Sequence, residues 1–138
     1  MTAPKIDYHK FWIVKPKAAI NQIKNPAFAS PDFEEDWAAS GAGVTIAESG
    51  DYQRRGAYSM KVNTATGVAS GAYHPGLTVT DGDDYTFSRD VKGVAGQAMR
   101  IYIANVSGTA KATTTFTATG YWQRVAVTHT AAENASTY

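Results

Sequence analysis

From residue 43 onward the chain reads as short runs in which every second residue is apolar. "AYSMKVNT" (57–64) sets Tyr58, Met60 and Val62 against Ser59 and Lys61. "MRIYIANV" (99–106) sets Ile101 and Ile103 against Arg100 and Tyr102, and "WQRVAVTHT" (122–130) sets Val125 and Val127 against Arg124 and Thr128. A period of two belongs to a strand with one buried face. "GVTIAES" (43–49), "AYHPGLTVT" (72–80), "YTFSRDVKG" (85–93) and "KATTTFTAT" (111–119) are further candidates, rich in residues that suit a pleated, half-buried surface. Gly, Asp and Asn punctuate these runs every ten residues or so, at roughly the spacing of a sandwich. "DGDD" (81–84) reads as a tight turn. Pro75-Gly76 suits an edge strand or bulge. Gly56 closes the loop "SGDYQRRG" where a positive φ or a close backbone approach is needed. Helix signals are confined to "FEEDWAAS" (33–40), expected to make a turn or two before Gly41 and Gly43 end it. The pattern predicts an all-β antiparallel sandwich and no βαβ units.

Parity then sorts the side chains. Met60, Val62, Phe87, Ile101, Ile103, Phe116, Val125 and Val127 fall on the apolar side and form the expected core. In "YTFSRDVKG", Tyr85, Phe87 and Val91 share the inner row, so Ser88, Asp90 and Lys92 face out. Arg89 also falls on the inner row, where it must snorkel to water or find a carboxylate.

Composition narrows the class. With 43% hydrophobic and 12% aromatic residues in 138, the chain can fill one core, and wholesale disorder is excluded. Having no cysteine, it has neither disulfides nor thiolate chemistry. No run nears the roughly 18 apolar residues of a membrane span. "FWIV" (11–14) is stopped by "KPK", short of the about 7–15 apolar residues of a secretory leader, so no leader is expected.

Charge is distributed unevenly. Residues 1–24 carry five lysines and one aspartate, whereas 25–138 carry eight basic and eleven acidic side chains. This divides the chain into a basic, extended N-terminal arm (1–24) and a slightly acidic body (25–138). Tyr8, Phe11 and Trp12 in the arm are candidates for docking on a partner. "KFWIV" has the content of a strand and Pro16 would end it, so part of "DYHKFWIVK" is expected to pair with a sheet edge, its own or a neighbour's. Neither nucleic acid nor membrane is an expected partner.

Catalytic signatures are missing from the sequence. "FEEDW" and "DGDD" are acidic clusters in turn-like segments, and nothing fixes two carboxylates about 5–10 Å apart across a cleft. His9, His74 and His129 lack metal-ligand spacing. There is no P-loop and no Gly-x-Ser-x-Gly. A binding face fits better. Outward Tyr102, Arg100, Asp90 and Arg124, with Tyr73 and His74 by the Pro-Gly bend, supply a ring for stacking and planar polar groups for hydroxyls. The competing reading is a solvated sheet face of cross-strand charge pairs.

The order of several short motifs resembles a known family. "NPAF" (25–28), Trp37 in "EDWAASG", "RRGAYSMKV", "GLTVTDGDDYTFSRDVKG" and "FTATGYWQRVAVTHTA" follow one another as in jelly-roll carbohydrate-binding modules of the family 4/9/22 type, over about residues 25–132. The resemblance implies a jelly roll in which Trp37 and Trp122 pack into the core or an edge. It also implies one more strand, expected where the chain ends at Tyr138. The family often has a glutamate after the Phe, on a structural calcium; here that position is Ala29, and the acidic residue of the last strand is missing too, so no cofactor is expected. Such modules are appended to secreted glycanases, and similar ones occur in phage tail and virion proteins, where the stretch before Asn-Pro reads like "IVKPKAAINQIKNP". The resemblance therefore implies a non-enzymatic module of a virion or tail protein, located in the virion, for glycan contact or structural decoration. Its other subunits would be partners through the arm. A module of a secreted glycanase and a purely structural assembly domain are the alternatives.

Overall fold

The computed structural model describes residues 20–23, 36–54, 56–64 and 70–133. Among them there are eight strands and no helix: β1 (Ala38–Ser40), β2 (Thr45–Ser49), β3 (Ser59–Asn63), β4 (Gly71–Tyr73), β5 (Asp84–Val91), β6 (Ala98–Ala104), β7 (Ala110–Thr117) and β8 (Gln123–Thr130). All pairing is antiparallel. β2 pairs with β3 inside the β1–β4 pair, and β6 pairs with β7 inside the β5–β8 pair. The same nested arrangement thus occurs twice, and the fold is an all-β sandwich.

The core lies where the β6–β7 pair packs on the β5–β8 pair. Ile101, Ile103 and Val127 are buried together, and Tyr85, Phe87, Ala112, Phe116 and Val125 pack against them half-buried. Directly opposed residues of an antiparallel pair share a face. The registers Phe87↔Val127 and Arg89↔Val125 therefore place the inner row where alternation predicts it. Met60 and Val62 are half-buried and stand outside this cluster, because β3 belongs to the other, shorter half.

Two turns fulfil their sequence signals. Gly56 has φ +78° at the junction of loop and strand. In "TDGD" Gly82 has φ +76°, and the Asp83 N–H donates to the Thr80 carbonyl at 3.1 Å. Gly82 N–H donates to the Ala131 carbonyl (2.8 Å) and Ala131 N–H to the Asp83 carbonyl (2.9 Å), which continues the β5–β8 ladder into the turn.

Two expectations are corrected. The end of "FEEDWAAS" is not helical: Ala38–Ser40 is β1, held by Ala38↔Tyr73, Ala39↔Ala72 and Ser40↔Gly71. Tertiary pairing outweighs the weak helix preference of two alanines. "AYHPGLTVT" is not one bent strand, since β4 ends at Tyr73 and only Val79 regains a bridge. Pro75 has no N–H for a ladder. The arm residues Tyr8, Phe11 and Trp12, with "DYHKFWIVK" and Ala29, lie outside the described residues.

Candidate functional site

A groove of about 1560 Å³ runs between the two nested units. From the first nested unit it is lined by Ser49, Asp51, Tyr52, β3 and residues 70–72; from the second by residues 89–94 and 97–102, Thr115–Thr117 of β7, and Trp122. Trp37 and Phe87 also border it. Consecutive residues of β3 (Met60, Lys61, Val62) and of β6 (Arg100, Ile101, Tyr102) all border it, so strand edges as well as inward side chains such as Phe87 and Phe116 look into the groove. Among the described residues β3 pairs only with β2, and β6 only with β7. Each therefore has an edge of backbone N–H and C=O groups towards the groove, suited to hydrogen-bonding hydroxyl groups.

Trp37 anchors the lining. It is 5% exposed, with the His74 ring edge-on at 5.4 Å and Phe87 tilted at 6.5 Å. The Arg89 guanidinium lies 5.1 Å from the Trp37 ring centre. That contact answers the inner-row arginine: its charge rests on an indole face, where cation–π attraction offsets part of the desolvation. Burial holds the Arg89 pKa below its ordinary value, the positive charge of Arg124 lowers it further, and Asp90 raises it in part.

Two exposed tyrosines border the groove, each next to a cation. Tyr102 is 37% exposed on β6, and the Arg100 guanidinium stands 5.2 Å from its ring centre. Tyr52 is 57% exposed on the 49–56 loop, and Lys92 Nζ stands 3.8 Å from its ring centre. The Arg100–Tyr102 pair is the one that parity placed outward. The Tyr52–Lys92 pair escaped the sequence reading, which treated 49–56 as a connector; an aromatic in a polar loop was the available signal.

The remaining candidates separate. Asp90 and Arg124 are direct cross-strand partners. Asp90 Oδ2 accepts from Arg124 Nη1 at 3.3 Å, and its Oδ1 lies 3.1 Å from Arg54 Nε. Arg124 Nη2 also donates to Ser88 Oγ at 2.6 Å. Both Asp90 oxygens are thus engaged by guanidinium groups. Asp90 borders the main groove, whereas Arg124 borders a smaller hollow of about 280 Å³ beside Asn21, Ile23 and Ser88. His74 packs on Trp37 and does not rim the surface that holds Tyr102; an edge-on ring contact inside the fold outweighs solvation of the imidazole. Tyr73 is exposed but does not border the groove. Trp122 is half-buried along the groove wall.

Residues 21–138 match the family model of the CBM_4_9 carbohydrate binding domain. The chain belongs to that family. The match covers every strand of the sandwich and all groove-lining residues named above. A carbohydrate-binding domain is a binding module and not a catalytic one. No curated protein and no solved structure matches the chain significantly.

Among the described residues no three His, Asp or Glu side chains stand together. Position 29 is alanine. Calcium takes six or more oxygen ligands, several of them carboxylate.

Proposed function

We propose that this carbohydrate-binding domain holds its glycan in the groove between β3 and β6, with Tyr102 and Arg100 as principal contacts. The observation that carries this is the placing of an exposed tyrosine and a guanidinium on β6, beside an edge that no other described strand pairs with. A tyrosine face stacks on the C–H face of a pyranose, and the guanidinium and backbone edge supply hydrogen bonds to its hydroxyls. Binding proceeds without a cofactor. Asp90, paired to two arginines, supports the wall and does not itself contact sugar. Calorimetry of the full chain against soluble polysaccharides tests this: binding that weakens in Tyr102→Ala supports it, and equal affinity in both proteins removes it.

The wider setting we infer is a tail or virion protein, with the domain making glycan contact at a host surface or serving as decoration. Its support is the stretch "IVKPKAAINQIKNP" (13–26) ahead of the sandwich and its resemblance to such proteins. Neighbouring tail genes would support this setting, and an adjoining glycanase domain would overturn it in favour of a secreted enzyme's module.

A further inference from the structure

The groove differs in charge from the body that contains it. Residues 25–138 carry eight basic and eleven acidic side chains. Among the described residues that line the groove, Lys61, Arg89, Lys92 and Arg100 stand against Asp51 and Asp90. Asp90 is already neutralised by Arg54 and Arg124. An excess of positive charge is therefore gathered in one concave place on a slightly acidic domain, and a concave site between low-dielectric walls focuses such a field.

The two cations nearest the exposed rings are arranged in the same way. Lys92 stands over Tyr52 and Arg100 beside Tyr102, in both cases within reach of cation–π attraction. A ring with an adjacent cation fits a sugar that offers both an apolar C–H face and a negative substituent. A neutral sugar stacks on the ring and accepts hydrogen bonds from the cation, but leaves it without a charged partner.

We propose that the groove takes an anionic glycan, one whose sugar rings carry carboxylate or sulfate groups, and that Lys92 and Arg100 recognise its charge. This rests on the groove being the glycan site. It adds the class of glycan and a second contact region, Tyr52–Lys92.

The test is calorimetry or affinity electrophoresis of the full chain against polygalacturonate (carboxylate), heparin (sulfate and carboxylate), a neutral mixed-linkage β-glucan and poly-glutamate. Binding to one of the two acidic polysaccharides, weakening with added salt and about tenfold weaker in the Lys92→Gln, Arg100→Gln double variant, is the expected result. The stronger acidic ligand assigns the anion. Preference for the neutral glucan overturns the charge assignment and leaves the groove as a glycan site. Equal binding of poly-glutamate overturns it too, because charge alone would then suffice. Binding of none of the polymers removes both proposals. Thermal melting of the double variant, expected to match the parent, separates lost recognition from lost fold.

Discussion

In the half of the molecule from β5 to β8 the strands run seven or eight residues; in the half from β1 to β4 they run three to five. Both halves use the same nested pairing. The long strands bring two or three inward residues each to a shared layer, and Ile101, Ile103 and Val127 are buried there. The short strands cannot, and their half leans on Trp37, whose ring meets His74, Phe87 and Arg89. Strand length thus separates the tasks. A continuous layer of alternating side chains supplies stability, and the less complete half leaves a groove along its border. The candidate binding residues come from both halves, Tyr52 from one and Arg100, Tyr102 and Lys92 from the other.

Five substitutions break or sharpen that contrast. Trp37→Ala is expected to cost about 3–5 kcal/mol in urea unfolding, because it removes a large buried side chain whose ring meets His74 and, from the other half, Phe87. A smaller loss than at Ile101 would mean that the short half is anchored elsewhere. Ile101→Ala should cost about 2–5 kcal/mol, and Met60→Ala at least about 1 kcal/mol less, since Met60 is half-buried by the groove. Equal costs would erase the difference between the halves. Tyr102→Ala is expected to leave the melting temperature near the parent's and to weaken glycan binding by at least about 1 kcal/mol. A drop in melting temperature with unchanged affinity would make Tyr102 a packing residue. The smallest effect belongs to Asp90→Asn, which weakens the contacts to Arg54 and Arg124. With both arginines exposed, the expected loss is about 0.2–1 kcal/mol, shrinking as salt is added. A salt-independent loss would point to packing in place of charge.

What the sequence could say about the site follows the same division. Arg100 and Tyr102 were legible because β6 alternates cleanly through Ile101 and Ile103, so the side of the strand fixed their exposure. Parity also put Asp90 and Arg124 on one face, but it is silent about what a side chain does with its neighbours. The register Asp90↔Arg124 and the approach of Arg54 turned that pair into an ion-paired wall. Parity turned Lys92 outward but named no partner for it, and Tyr52 lies on a loop without alternation, so only the folded chain brings them together.

By itself the sequence determined the all-β class, the inward row of β5 to β8, the turns at Gly56 and Gly82, and a family resemblance carried by motif order. These depend on residue periodicity and on local backbone conformation, both of which are written along the chain. The tertiary structure decided that Ala38–Ser40 is a strand, since its partner Gly71–Tyr73 is some thirty residues away and no local signal names it. It also decided that Arg89 rests on Trp37, that His74 turns inward, and that β3 and β6 border one groove. Each of these is a contact between segments distant in sequence, and alternation specifies a face of a strand without specifying its neighbour.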